Sequence, residues 1–297
     1  MHMCVDVMPS NDTERRRTDL NMSSSTTFAR HPPEVKIARI SFPAPRVLLV
    51  TISRPKALNA IDISGSWELA SLFEWFDEEP SLWVSIVTGE GRTFSAGADL
   101  KAWNDEIGSG SFGEMPSSGF AGLSRRTGKK PVIAAVNGIA YGGGFEAVVN
   151  CDLVIASATA KFCFPEVKRG VAPFAGAMPR LVRTIGKQRA MELMLTGRVL
   201  PAQEAKDWAL VNVVCPEGQD VVDEALRWAK TIAEHSPDSV IVTKQGINWG
   251  WEGVGADEGT RISNSLWHHK LLAGDNIKEG LKAFVEKRSP KWTDSKL

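Results

Sequence analysis

Four short apolar runs, set apart by helix-spaced segments, constrain this chain more than anything else in it. Val47–Ser53 (VLLVTIS), Trp83–Thr88 (WVSIVT), Pro131–Asn137 (PVIAAVN) and Leu153–Ala156 (LVIA) are rich in β-branched residues and almost unbroken in hydrophobicity. Strands of that kind belong in a sheet covered on both faces. Between the first two, Ser64–Asp77 places Leu69, Leu72, Phe73 and Phe76 at helical spacing. Gly142-Gly143-Gly144 then opens a helix through Phe145–Asn150. The alternation predicts an α/β fold. From Gly186 onward the pattern turns helical, over Gln188–Leu195, Ala202–Trp208, Val221–His235, Ser239–Asn248 and Asn276–Lys287. The expected organisation is an N-terminal extension over 1–33, an α/β core over 34–200, a helical region over 201–292 and a tail over 293–297. The Gly/Ser-rich stretch Trp103–Gly119 reads equally as a substrate-covering loop and as a surface linker.

The 35 basic and 35 acidic residues cancel. There is no basic, aromatic-laced stretch for nucleic acid and no apolar run near the ~20 residues that span a bilayer. Cys4, Cys151, Cys163 and Cys215 show no disulfide or zinc spacing and fit a reducing compartment. No metal site is expected. Residues 1–33 are polar and read as disordered. Their Arg15-Arg16-Arg17 suggests a mitochondrial presequence, but Asp6, Asp12, Glu14 and Asp19 are too acidic for one. Ser295-Lys296-Leu297 has the form of a peroxisomal address read by an import receptor. The expected compartment is therefore the peroxisomal matrix, with the mitochondrion as the alternative.

Three segments carry chemistry. In TFSAGADLK (Thr93–Lys101), small residues let backbone approach a ligand closely. In VNGIAYGGGFEAVVNCD (Val136–Asp152), a strand feeds three glycines and a helix N-terminus, whose free N–H groups can hold an oxygen that gains charge. Alone, the glycine run reads better as a tight turn. In FCFPEVKR (Phe162–Arg169), Glu166 sits in an apolar setting, as Glu146 does at the start of the helix. Burial would raise both carboxyl pKa values and suit them to proton transfer near neutral pH.

With these segments RPKALNA (Arg54–Ala60), ATAKFCFPEVKRG (Ala158–Gly170), PRLVRTIG (Pro179–Gly186), LTGRVLPAQEAKDWALVN (Leu195–Asn212) and EGLKAFVEKRSPKW (Glu279–Trp292) follow in order. The set resembles the crotonase superfamily of enoyl-CoA hydratases and isomerases over residues 40–292. The resemblance implies a repeated ββα core, a C-terminal helical trimerisation region, and a homo-oligomer of one or two trimers. It implies an acyl-CoA substrate, with coenzyme A arriving as part of that substrate and no permanently bound cofactor. It implies that the N–H groups of Ala98 and Gly143 form an oxyanion hole. Glu146 would activate water and Glu166 would supply the α-proton, in a reversible syn addition of water to a 2-enoyl thioester. Lys56, Leu58, Ala96, Asp99, Leu100 and Lys101 match the CoA-binding edge. Phe284 and Lys287 match a pair that reaches a neighbouring subunit's CoA.

One departure concerns the acyl pocket. Phe174 stands where hydratases commonly carry a small residue or an aspartate. A ring there would narrow the pocket, reshape it for a branched acyl group, or disturb the water site. The alternatives are a Δ3,Δ2-enoyl-CoA isomerase, a hydratase of a branched acyl-CoA in fungal siderophore or toxin synthesis, and a non-catalytic CoA- or RNA-binding protein. The pair of glutamates favours the hydratase.

Overall fold

A computed structural model describes residues 28–109 and 113–297. The chain runs β1 (Ala38–Ala44), β2 (Val47–Ile52), α1 (Ile63–Glu78), β3 (Val84–Gly89), β4 (Thr93–Ser95), α2 (Leu100–Ser109), β5 (Val132–Val136), β6 (Ile139–Tyr141), α3 (Gly143–Val149), β7 (Leu153–Ser157) and β8 (Lys161–Cys163). It continues through α4 (Ala177–Ile185), α5 (Lys187–Thr196), β9 (Leu200–Pro201), α6 (Ala202–Asp207), β10 (Val213–Cys215), α7 (Val221–Ala233), α8 (Pro237–Trp251), α9 (Ala256–Ser263), α10 (His269–Ala273) and α11 (Asp275–Val285).

Two sheets result. The larger has the order β1-β2-β3-β5-β7-β10 and is parallel except for the β1–β2 hairpin. Alternation sorts its side chains. Leu48, Val50, Ala134 and Val136 face a core shared with Phe73 and Phe76 of α1. Val47, Val84, Ile133 and Ala135 face Ala225 and Ala229 of α7. Both faces are thus covered, as the unbroken apolar runs require. The smaller sheet, β4-β6-β8-β9, is built of strands two or three residues long. It lies at the carboxyl ends of β3, β5 and β7, and from it the site is assembled.

Some expectations change. Residues 28–33, assigned above to a disordered extension, begin on the body of the protein. Phe28 packs against Phe42 and Trp75, with ring centroids at 4.9 and 5.5 Å, and the Ala29 N–H donates to Glu79. Residues 1–27 lie outside the described residues. The first part of Trp103–Gly119 is helix, not loop: α2 extends to Ser109, residues 110–112 lie outside the described residues, and the rest is irregular. Within the 201–292 region, β10 and α7 belong to the large sheet and its cover. Helix α8 is tied back to it where Lys244 Nζ meets Asp152 at 2.7 Å.

Candidate active site

The site begins with the loop between β2 and α1. Leu58 and Asn59 both take left-handed backbone angles, with φ of 52° and 54°. Buried Asn59 makes this tenable. Its amide donates to the carbonyls of Glu90 (3.0 Å) and Thr93 (2.6 Å) and its oxygen accepts from Arg54 N–H (2.9 Å). Ser95 Oγ donates to the Asn59 carbonyl, and Ala96 N–H donates to that of Leu58. The segments 54–61 and 93–99 are thereby zipped together.

This zip exposes the Ala98 N–H. Ile61 N–H donates to the Gly97 carbonyl and Asp99 N–H donates to the Ile61 carbonyl, both at 3.0 Å. In such a parallel bridge the N–H of the residue between, Ala98, points the other way. Gly97 adopts φ +94°, and a Cβ there would lie 2.7 Å from the Tyr141 carbonyl and 3.1 Å from Gly143 N. Only glycine lets the two segments come this close. Gly143 is the first residue of α3, so its N–H has no acceptor within the helix. The two predicted donors therefore lie on adjoining segments, and both residues line one cavity of about 260 Å³.

Glu146 and Glu166 line the same cavity. Glu146 is 3% exposed, and Oε2 accepts the Ala177 N–H at 3.0 Å. Burial pushes its pKa up. The backbone N–H groups of Ala177, Ala175 and Gly176 oppose that rise by stabilising the carboxylate. Glu166 opens a short 3-10 turn (Glu166–Arg169) after Pro165. Its Oε2 is buried without a hydrogen-bond partner among the described residues. Burial, and then the charge of Glu146, lift its pKa to about 7, against the pull of its own backbone N–H. Gly142 leaves room for it, since a Cβ there would stand 3.1 Å from Glu166 Oε1. One carboxylate is thus clamped by amides. The other is unclamped and poised to hold or release a proton near neutrality. Two such groups beside two free N–H donors can move a proton at Cα, move an oxygen at Cβ and hold the enolate between them.

The remaining predicted residues lie around the mouth. Lys56 and Lys101 are exposed, on the 3-10 turn Pro55–Ala57 and on α2, and Leu100 is half exposed. Leu58 and Ala96 are partly buried in the zip. Asp99 lines the cavity, but its carboxylate is taken up by Arg54 at 3.1 Å. Burial would raise its pKa, yet the Ala102 N–H and the Arg54 guanidinium together hold it below the usual range. Phe174 also lines the cavity, yet it is 79% exposed. The ring sits at the mouth and does not fill the acyl space. Phe284 on α11 is 85% exposed, and Lys287 follows it at φ 53°. Neither lines the cavity of its own chain. The terminal tripeptide lies against the body: Ser295 Oγ donates to Asp238, Lys296 pairs with Asp275 at 2.8 Å, and the Leu297 carbonyl accepts from Lys129.

Asn59 and the 175–177 amides shape the site but were not singled out from sequence, whereas Gly97 is one of the small residues of TFSAGADLK expected to let backbone approach closely. Asn59 lies inside a quoted motif, where a polar residue after a loop was the available signal. The amides carry no side-chain signal.

A family model described as enoyl-CoA hydratase/isomerase matches residues 44–295. A mevalonyl-coenzyme A hydratase of Beauveria bassiana is 52% identical over 279 residues, covering 91% of this chain and all of that protein. One of Aspergillus fumigatus is 49% identical, covering 89% and 98%. The crystal structure of an enoyl-CoA hydratase from Mycobacterium tuberculosis H37Rv superposes with a TM-score of 0.79 at 36% identity, covering 87% of this chain and 99% of that one.

Proposed function

We propose, for a chain that belongs to the enoyl-CoA hydratase/isomerase family, that its substrate is a 3-methyl-branched acyl-CoA of the mevalonyl type. The protein is a hydratase, adding water to and removing it from the Cα–Cβ bond of an acyl thioester. The observation that carries the mechanism is the pair of unlike carboxylates in one cavity with the Ala98 and Gly143 N–H groups. In dehydration the thioester oxygen accepts from the two N–H groups and Glu166 removes the α-proton. The enolate charge rests on the donors. Glu146, carrying the proton in this direction, passes it to the departing β-hydroxyl. Hydration reverses each step. The pair holds one proton in total in either direction, so the two directions share one pH profile.

The branched substrate is favoured by identities of 52% and 49% to mevalonyl-coenzyme A hydratases, against 40% to a mitochondrial enoyl-CoA hydratase of Pongo abelii. It is also favoured by the outward Phe174 ring, which leaves the acyl space open for a methyl at Cβ. Steady-state rates of water loss from mevalonyl-CoA and from straight-chain 3-hydroxybutyryl-CoA test this. Higher kcat/KM for mevalonyl-CoA supports the reading. The reverse order overturns it and returns the chain to straight-chain hydration.

Lys56 and Lys101 would meet the CoA phosphates, and Phe284 and Lys287 would reach the CoA of a neighbouring subunit in a trimer or pair of trimers. The peroxisome is the proposed compartment, through Ser295-Lys296-Leu297. Comparing the location of an N-terminally tagged chain with and without those three residues tests it.

A further inference from the structure

The acyl cavity is apolar over most of its wall, from Ile61 and Ile63 to Met115 and Phe120. Beyond the two glutamates and Asp99, whose partners are described above, and Asp62, whose carboxylate caps α1 by accepting the Gly65 N–H at 2.7 Å, Arg125 brings a positive charge to it. Arg125 also lines a second, adjoining polar pocket of about 490 Å³. It therefore stands where the hydrocarbon part of the acyl space gives way to polar surroundings.

The position of this side chain is built. The Arg125 N–H donates to the Ser118 carbonyl at 2.9 Å. Its stem passes between two glycines with positive φ, Gly119 (+77°) and Gly176 (+123°). A Cβ on either would lie about 3 Å from Arg125 Cγ, at 3.1 Å from Gly119 and 2.9 Å from Gly176. Gly176 belongs to the run of amides that clamps Glu146. The stem is thus fixed to the backbone that positions the catalytic carboxylate. Its guanidinium, in contrast, has no ion pair or hydrogen bond among the described residues. The two other arginines of the second pocket are engaged, Arg126 with Asp77 at 2.6 Å and Arg180 with Glu252 at 2.9 Å.

We infer that Arg125 is a specificity residue, donating a hydrogen bond to a hydroxyl at the far end of the acyl chain. The Arg125 residue is exposed, so water serves its donors in the free protein. A plain hydrocarbon terminus displaces part of that water without replacing its hydrogen bonds, and is disfavoured against a hydroxyl that does replace them. A carboxylate terminus fits less well than a hydroxyl. The second pocket sets Glu74, Asp77 and Glu252 against Arg125, Arg126 and Arg180, so no excess positive charge awaits an anion. The inference rests on the branched-substrate reading and deepens it, because a mevalonyl chain ends in a hydroxyl.

The test measures kcat/KM for mevalonyl-CoA and for its analogue lacking only the terminal hydroxyl. An unbranched pair differing in the same hydroxyl is run beside them. Wild type, Arg125→Met and Arg125→Lys are compared. The wild type is expected to favour the hydroxylated member by about 10-fold, the scale of one exposed charge-assisted hydrogen bond. Arg125→Met should erase that preference and leave the deoxy analogue within about 2-fold of wild type, while Arg125→Lys keeps part of it. Equal losses on both members would make Arg125 merely structural and overturn the inference. So would a wild type with no preference. If neither branched thioester turns over while the unbranched pair does, the branched reading falls, and the unbranched pair still decides the role of Arg125.

Discussion

Replacing Glu166 by glutamine should stabilise the folded protein at ~pH 8 much more than at ~pH 5, while destroying its activity. The Glu166 carboxyl is raised from 4.5 to about 7, first by burial and then by the charge of Glu146. Below both values the folded and unfolded chains alike carry the proton, and the group contributes nothing. Between them the unfolded chain releases a proton that the folded chain retains, so this group's contribution to stability falls as pH rises. Above about 7 the whole cost of the ionised side chain is present. A shift of this size in a dry interior corresponds to about 3 kcal/mol. Glu166 is only half-buried, and screening brings that to about 1–2 kcal/mol. Glutamine fits the same space and carries no charge. The stability gap between Glu166→Gln and wild type, from denaturant unfolding, should therefore widen by about 1 kcal/mol between ~pH 5 and ~pH 8. Taking the difference cancels the titrations the two proteins share. A gap that stays constant, or narrows as pH rises, would refute an unclamped carboxylate at this position.

Ala98→Pro deletes one oxyanion donor without breaking the Ile61 bridge, which uses the neighbouring Gly97 carbonyl and Asp99 N–H. It should lower kcat by about 10²–10³ with CoA-ester binding retained, measured by steady-state kinetics and calorimetry. Gly97→Ala puts a methyl 2.7 Å from the Tyr141 carbonyl at φ +94°. It should cost at least ~2 kcal/mol in denaturant unfolding. For the wild type, kcat/KM should fall as pH rises above about 7, where the pair loses its shared proton through Glu166. The fall should be the same in hydration and dehydration, and pH–rate profiles in both directions check it.

The central strands were legible because they are buried on both faces, which leaves an unbroken apolar run around Ile86, Ala134 and Ile155. The edge strand β1 was not, because Pro43 and its partly exposed residues break the pattern. The small sheet escaped for a different reason: a strand of three residues, such as Thr93–Ser95, is too short to show a period. In α2, Gly108 and Ser109 gave a helix end the look of a loop. Helix α4 was hidden by Pro179, which lies in its first turn, where proline is tolerated. Ala98, Gly143, Glu146 and Glu166 were named through ordered motifs, since no local pattern tells that three distant segments converge. Arg125 lies outside every one of those motifs. What sets it apart is the space left by Gly119 and Gly176, which are 57 residues apart in the chain yet flank one side chain.

The most direct test of the paired-glutamate account is the rate of water loss from mevalonyl-CoA by wild type, Glu146→Gln, Glu166→Gln and the double variant, followed by the ultraviolet absorbance of the conjugated thioester. Each single change should cost about 10²–10⁴ in kcat, and the double variant should lose little more than either, because the two carboxylates act on one transition state. Near-normal turnover by either single variant would contradict the account, since one carboxylate would then suffice.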